Sequence, residues 1–196
     1  AYPLAHEAAE LLKNQDALAL CLLRWGQACI EQYDYDEAQG FLAASMHLYE
    51  TQGNVPGIAN VKYHLARIAI ELANYAEAEQ LLDTSYQLHE QVGDNPGLAA
   101  DIYQQALIFY RRGELDKSEA LCKRALAKQE AAGDRLGSLP TLRLLADIAL
   151  EQKNYNGAES YCQQALNLSN DLQNRGELAA TYYGLTVVAR LQEKYE

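Results

Sequence analysis

Residues 61–100 read VKYHLARIAIELANYAEAEQLLDTSYQLHEQVGDNPGLAA, and residues 141–180 read TLRLLADIALEQKNYNGAESYCQQALNLSNDLQNRGELAA. Laid one over the other without a gap, Leu65-Ala66 meets Leu145-Ala146, Asn74-Tyr75 meets Asn154-Tyr155, and Ala78-Glu79 meets Ala158-Glu159. Carried outward, the same forty-residue register gives blocks beginning at Cys21, Val61, Asp101, Thr141 and Thr181. Trp25-Gly26 then takes the Leu-Ala place and Asp34-Tyr35 the Asn-Tyr place. Gly53-Asn54, Gly93-Asp94 and Gly133-Asp134 close the blocks, and a second glycine (Gly57, Gly97 or Gly137) follows each pair after two residues. So many columns in one register identify an internal repeat, and a period of this length marks a solenoid or array.

Each block reads as two helices. From about Asn60 to Leu72 the apolar residues Leu65, Ile68, Ala69 and Leu72 recur at helical spacing. A polar turn at Asn74 interrupts them, and a second helix is predicted from about Tyr75 to Val92. Gly93 supplies the left-handed residue that closes a helix at low cost. Asp94 follows as the N-cap of the next helix, with Pro96 in its first turn, where the missing N–H matters least. The Gly-Asp/Asn-x-x-Gly pattern is therefore helix punctuation. A phosphate loop would need a preceding strand, and no strand pattern occurs.

Two columns of small residues, Gly26/Ala66/Ala106/Ala146 and Ala38/Ala78/Ser118/Ala158, let neighbouring helix axes approach to about 8–10 Å. Trp25, Leu65, Tyr35, Tyr75, Tyr155, Leu42 and Leu82 fill the space around them. A single hairpin cannot bury its apolar face, so hairpins must stack. The expectation is an all-α solenoid of stacked antiparallel hairpins without a second domain: a half repeat at 1–20, full repeats at 21–60, 61–100, 101–140 and 141–180, and a half repeat at 181–196. Ala5, Ala8, Ala9 and Leu12 align with the second half of a block, Pro3 fits a first helical turn, and neither end carries a polar cap. A piece of a longer protein is expected.

These columns resemble the tetratricopeptide repeat family over essentially the whole chain. The common repeat of that family is about 34 residues and often ends in Pro; the forty-residue period and the Gly-Asp/Asn ending depart from it. They are more similar to the long-helix subclass of kinesin light chains, Leu-Gly-Asn-type polarity adaptors and bacterial ATP-dependent regulators with helical sensor arrays. The resemblance implies a right-handed superhelix whose first helices line a concave wall. The carboxylate clamp of the family needs Lys and Asn at set places, which hold other residues here, so binding of chaperone C-termini is disfavoured.

With 16 Lys and Arg against 27 Asp and Glu, the net charge is −11. Such a chain has no overall attraction to a phosphate backbone or an anionic membrane, and direct nucleic-acid binding is expected to be absent. No apolar run reaches the ~18–20 residues of a membrane span, and no signal peptide opens the chain. Four Cys without close pairing point to a reducing, cytoplasmic setting.

Catalytic chemistry is not indicated. His6, His47, His64 and His89 lack metal-ligand spacing. His47 and His89 fall in polar stretches of second helices and read as surface or edge residues. Cys21 and Cys29, and the same-column pair Cys122 and Cys162, read as small thiols filling packing columns rather than metal ligands. Glu77, Glu79, Glu114 and Asp116 read as solvated helix starts rather than acid/base pairs. No enzyme activity, cofactor or metal is expected.

What remains is surface. By the family arrangement, residues two before and two after the Leu-Ala leader, with those one turn on, face the concave wall. These are Leu23, Gln27 and Ile30; Tyr63, Arg67, Ile70 and Glu71; Tyr103, Leu107, Tyr110 and Arg111; Arg143, Asp147 and Leu150; and Tyr183, Val187 and Arg190. Tyr and Arg are enriched in binding hot spots. Against this, Tyr is common throughout the chain, and Arg67 could simply pair with Glu71 four residues on. Gln105 occupies the large-residue column of Trp25, Leu65, Leu145 and Leu185. Either a local rotation lets Ala106 and Phe109 take over the core, or Gln105 makes a polar spot between Tyr103 and Tyr110. The expected function is a protein–protein interaction scaffold whose concave groove takes a protein or peptide with acidic and apolar residues. The alternative is a sensor domain of a bacterial multidomain regulator that binds a peptide or small effector.

Overall fold

The structure, a computed structural model, describes residues 14–195. Pro3, Ala5, His6, Ala8, Ala9 and Leu12 lie outside the described residues. Among the described residues the chain is all-helical: α1 (Gln15–Glu31), α2 (Tyr35–Gln52), α3 (Val55–Glu71), α4 (Tyr75–Val92), α5 (Asn95–Arg111), α6 (Leu115–Ala132), α7 (Arg135–Glu151), α8 (Tyr155–Asp171) and α9 (Arg175–Tyr195). They fall into two compact units, 1–97 and 98–196. In the first, α1 packs on α2, α2 on α3, α3 on α4, and α1 also touches α3. In the second, α6 packs on α7, α7 on α8 and α8 on α9, with α7 against α9. Consecutive antiparallel hairpins of this kind make a solenoid-class fold.

The first helix of a block starts earlier than its apolar spacing suggests, at Val55 rather than near Asn60. The cause is the cap. Asn54 Oδ1 accepts from Gly57 N at 2.9 Å, and Asp94 Oδ1 from Gly97 N at 3.0 Å. Asp134 and Asn154 repeat the bond to Gly137 N and Gly157 N. Each holds an N-terminal turn whose donors lack helical partners. The second helices end as read, at Gly53, Gly93 and Gly133, with φ of 65°, 70° and 68°.

The second glycine of the punctuation has a different cause, and His89 explains it. His89 is 1% exposed, not a surface or edge residue. Tyr49, His89, Gln129 and Ser169, one to a repeat, are all buried near the ends of second helices. There Tyr49 and His89 close over the following first helix: a Cβ on Gly97 would lie 2.6 Å from the His89 ring, and one on Gly57 would run into the Tyr49 ring. Gln129 instead donates from Nε2 to the Gly137 carbonyl at 2.8 Å. Gln129 is thus buried with its polar edge on backbone, while His89 Nδ1 lies 3.4 Å from Ser85 Oγ.

Both small-residue columns are buried as expected, with Ala38, Ala66, Ala78, Ala106 and Ala158 at 0% exposure. Buried hydroxyls add repeated ties: Ser45 Oγ donates to Ala19 O at 2.8 Å and Ser85 Oγ to Ala59 O at 3.1 Å. The large-residue column departs from expectation. Leu145 is 1% exposed, but Trp25, Leu65, Gln105 and Leu185 are only half-buried. Trp25 sits against Phe41 with ring centroids 5.1 Å apart. Gln105 is therefore an ordinary member of a half-buried column.

Candidate functional site

In the first unit, α1 presents Arg24, Gln27 and Glu31, three and four residues apart and so on one helical face. Facing them, α3 presents His64 and Arg67. Together they line a recess of about 650 Å³. Arg24 Nη1 donates to Gln27 Oε1 at 2.9 Å, and Gln27 Nε2 lies 2.5 Å from His64 Nε2. His64 Nδ1 is 3.5 Å from Arg67 Nη1, while Arg67 Nη2 donates to Glu31 Oε1 at 2.9 Å. Arg67 thus bridges to the neighbouring first helix. The Tyr63 ring stands edge-on to His64, centroids 4.9 Å apart.

His64 is 6% exposed. Burial, reinforced by the Arg67 and Arg24 guanidinium groups, pushes its imidazole from an ordinary 6.5 down to about 3. The ring is therefore neutral at physiological pH. The two Arg and one Glu leave this recess with a local charge of +1 in a chain of −11.

In the second unit, a recess of about 450 Å³ is lined by Arg143, Asp147 and Leu150 of α7, Cys162 of α8, and Tyr183 and Val187 of α9. Tyr183 is 74% exposed. Asp147 is exposed at its edge, yet its carboxyl stands in the recess; desolvation raises its pKa, Arg143 opposes this and Glu151 adds to it. Burial raises the Cys162 thiol, and Asp147 adds to that. Burial likewise raises the Tyr110 hydroxyl, with Asp147 and Glu151 contributing, so Tyr110 of α5 faces α7.

Of the residues expected on the wall, Arg143, Asp147 and Tyr183 come together with Leu150 and Val187. Tyr63 and Arg67 flank the recess of the first unit. Tyr103, Leu107 and Tyr110 are half-buried against the core of Ala106, Leu144, Leu145 and Ile148. Arg111 and Arg190 are exposed, and neither lines the recess of the second unit. Leu23, Ile30 and Ile70 are core residues, at 5%, 5% and 2% exposure. At these places the helix face turns toward its neighbour, and the inward rule fails. Arg24 and His64 were missed by the rule because each precedes the Leu-Ala leader by one residue. The i, i+3, i+7 run Arg24-Gln27-Glu31 marks a polar face of α1, but only its packing beside α3 brings Arg24 and His64 to one recess.

Among the described residues no group of three His, Cys, Asp or Glu is placed to hold a metal ion. No helix among them is long and apolar enough to cross a membrane.

The tetratricopeptide repeat family model matches residues 57–131 and, overlapping, 98–171. No curated protein matches the chain. Among solved structures, BtubC (BKLC) from P. vanneervenii is similar, at 13% identity and a TM-score of 0.75 over 98% of this chain and 80% of that one. So is a Signal Transduction ATPase with Numerous Domains (STAND) protein with a tetratricopeptide repeat sensor from Pyrococcus horikoshii. It is 18% identical with a TM-score of 0.67, and this chain, wholly covered, spans 33% of its length. At these identities the likeness is one of fold.

Proposed function

The chain belongs to the tetratricopeptide repeat family, and we propose that it is a non-catalytic protein–protein interaction scaffold whose first-helix faces hold a peptide segment of a partner. The observation that carries this reading is the recess of the second unit. Tyr183 leaves most of its ring in water beside the half-buried Leu150 and Val187, and Arg143 stands at the rim with a guanidinium able to grip a carboxylate by two parallel bonds. A partner that covers Tyr183 gains apolar contact, and one with Asp or Glu nearby also reaches Arg143, which already acts on Asp147. The partner segment therefore carries acidic residues between apolar anchors. At contact range, local charge outweighs the net −11. Tyr63 and Arg67 serve the first unit in the same way, and Arg111 and Arg190 add rim charge in the second. Tyr103, Leu107 and Tyr110 contribute their exposed edges. The setting is cytoplasmic, and the ligand is protein rather than nucleic acid or membrane.

The test is a peptide-display selection on the intact chain. Enriched sequences should be lost by Arg143→Ala combined with Tyr183→Ala. They should be retained by His47→Ala, which alters an exposed position of α2. Equal retention by both folded variants sinks the first-helix assignment. A second reading, an effector- or peptide-sensing domain of a multidomain regulator, is favoured by the fold likeness, along the whole of this chain, to a STAND protein that carries a tetratricopeptide repeat sensor. A nucleotide-binding or winged-helix segment in the full-length gene product would decide for it.

A further inference from the structure

The second unit holds another recess, of about 450 Å³, between α6, α7 and α8, and it shares no residue with the one beside Tyr183. Leu126, Leu142 and Leu168 give it apolar walls, and Gln129 and Ser138 complete them. Both of these residues depart from the repeat. Ser138 stands in the column of Ile58, Leu98 and Leu178, and Gln129 in that of Tyr49 and His89. In the first two repeats a ring of that column covers the glycine that opens the next first helix. At Gly137 the three atoms nearest a built Cβ all belong to Asp134. The recess therefore lies in the repeat that has exchanged a ring and a branched aliphatic chain for an amide and a hydroxyl.

Gln129 also carries an unmet need. It is 3% exposed, and its Nε2 donates to the Gly137 carbonyl at 2.8 Å. A carbonyl only accepts, so this bond fixes which end of the amide is which. Oε1 is left buried with no hydrogen-bond partner among the described residues, a costly state for an acceptor. The last torsion of a Gln side chain is soft, so a small turn can bring Oε1 to the recess wall. The charged residues lining the recess, Glu130 and Arg135, sum to zero. Arg135 Nη2 is already held by Asp171 Oδ2 at 2.6 Å, so an ionic ligand gains no net attraction there.

We propose that this recess binds a small uncharged aromatic molecule bearing one N–H or O–H donor, its ring among the three leucines and its donor on Gln129 Oε1. The ring takes up the space that Tyr49 and His89 fill in their own repeats, and the donor supplies the bond that Oε1 lacks. The volume falls within the range of about 300–1,000 Å³ found for small-molecule sites. The site goes beyond the scaffold reading, none of whose residues line it.

The test uses the intact chain and indole as probe, read from the methyl signals of Leu126, Leu142 and Leu168 and the side-chain amide signal of Gln129. Indole should shift all four saturably. N-methylindole, which keeps the ring but lacks the donor, should bind about fivefold more weakly, as loss of one hydrogen bond requires. Gln129→Met keeps the length and removes the acceptor, and should bind the two probes alike. Ser138→Leu restores the residue of Leu98 and Leu178, and should abolish binding by filling the recess. The absence of saturable shifts overturns the site, as does undiminished binding by folded Ser138→Leu. Equal affinity for indole and N-methylindole in the unaltered chain overturns the role of Gln129, and needs no variant to fold. N-acetyltryptophanamide binding tenfold tighter than indole would assign the recess to a partner's side chain, against the small-molecule proposal. Indole-3-acetate binding tenfold tighter would overturn the requirement for an uncharged ligand. Each failure leaves the scaffold reading standing, since that reading is tested at Arg143 and Tyr183.

Discussion

His89 of α4 lies against the backbone of Gly97 at the start of α5, its ring 2.6 Å from where a Cβ on that glycine would sit. The same buried ring has Nε2 3.7 Å from Asp94 Oδ2, the side chain that caps that helix. One imidazole thereby joins the end of one helix to the start of the next. Gly97→Ala should cost about 1–3 kcal/mol by overpacking, and Gly57→Ala, under Tyr49, should behave alike. Gly40, exposed within α2, has no heavy atom within 4 Å of a built Cβ. There alanine should stabilise by up to about 1 kcal/mol. Chemical denaturation of the three variants checks the order, and a tolerated Gly97→Ala would contradict the close approach.

The turns inside hairpins give a prediction of opposite sign. Ala73 and Lys153 adopt φ of 60° and 59°, while the matching residue of another repeat is Gly113 at 77°. A left-handed conformation strains a residue with a Cβ. Ala73→Gly should therefore stabilise, by about 0.5–1 kcal/mol after the added freedom of the unfolded chain is deducted. A lower melting temperature would show that the turn is not strained.

Leu145 and Trp25 share a column but not an environment. Leu145 is 1% exposed, so Leu145→Ala should cost about 2–5 kcal/mol. Trp25, half-buried against Phe41, leaves an open notch rather than a cavity when truncated, and Trp25→Ala should cost less than that. In repeat folds each element couples to its neighbours, so hydrogen exchange after Trp25→Ala should rise chiefly in residues 14–97. A uniform rise across both units would contradict this.

How much of this was legible beforehand differs by feature. The repeat, the helix pairs, the left-handed glycines and the small-residue columns could be read because each fixes a local backbone need. His89 could not, since a polar residue in a polar stretch looks solvated unless the next helix is known to close over it. Trp25 and Gln105 were misjudged for the same reason: size predicts burial only where a neighbour covers the position. Arg67 and Tyr183, expected on the wall from residue type and spacing, each line a recess of their unit. Arg24 and His64 gain meaning only when α1 and α3 are brought side by side.

The buried His64 sets a pH dependence. Its folded pKa, about 3, lies below its ordinary 6.5, so the unfolded chain binds the proton more readily. Its stabilising contribution is complete above about pH 6.5 and is lost as pH falls toward 3, by at most about 1.4 kcal/mol per unit. His64→Gln should flatten that part of the stability–pH curve. An unchanged slope would mean that His64 is not buried as a neutral ring.

The most direct test of the central claim, that the first-helix faces are the binding surface, is backbone chemical-shift mapping with a display-selected acidic–apolar peptide. Perturbations should gather on α1, α3, α7 and α9, around Arg24, Arg67, Arg143 and Tyr183. Exposed second-helix positions such as His47 and Gln163 should stay unmoved. Shifts concentrated on α2, α4, α6 and α8, with Arg67 and Arg143 silent, would contradict it.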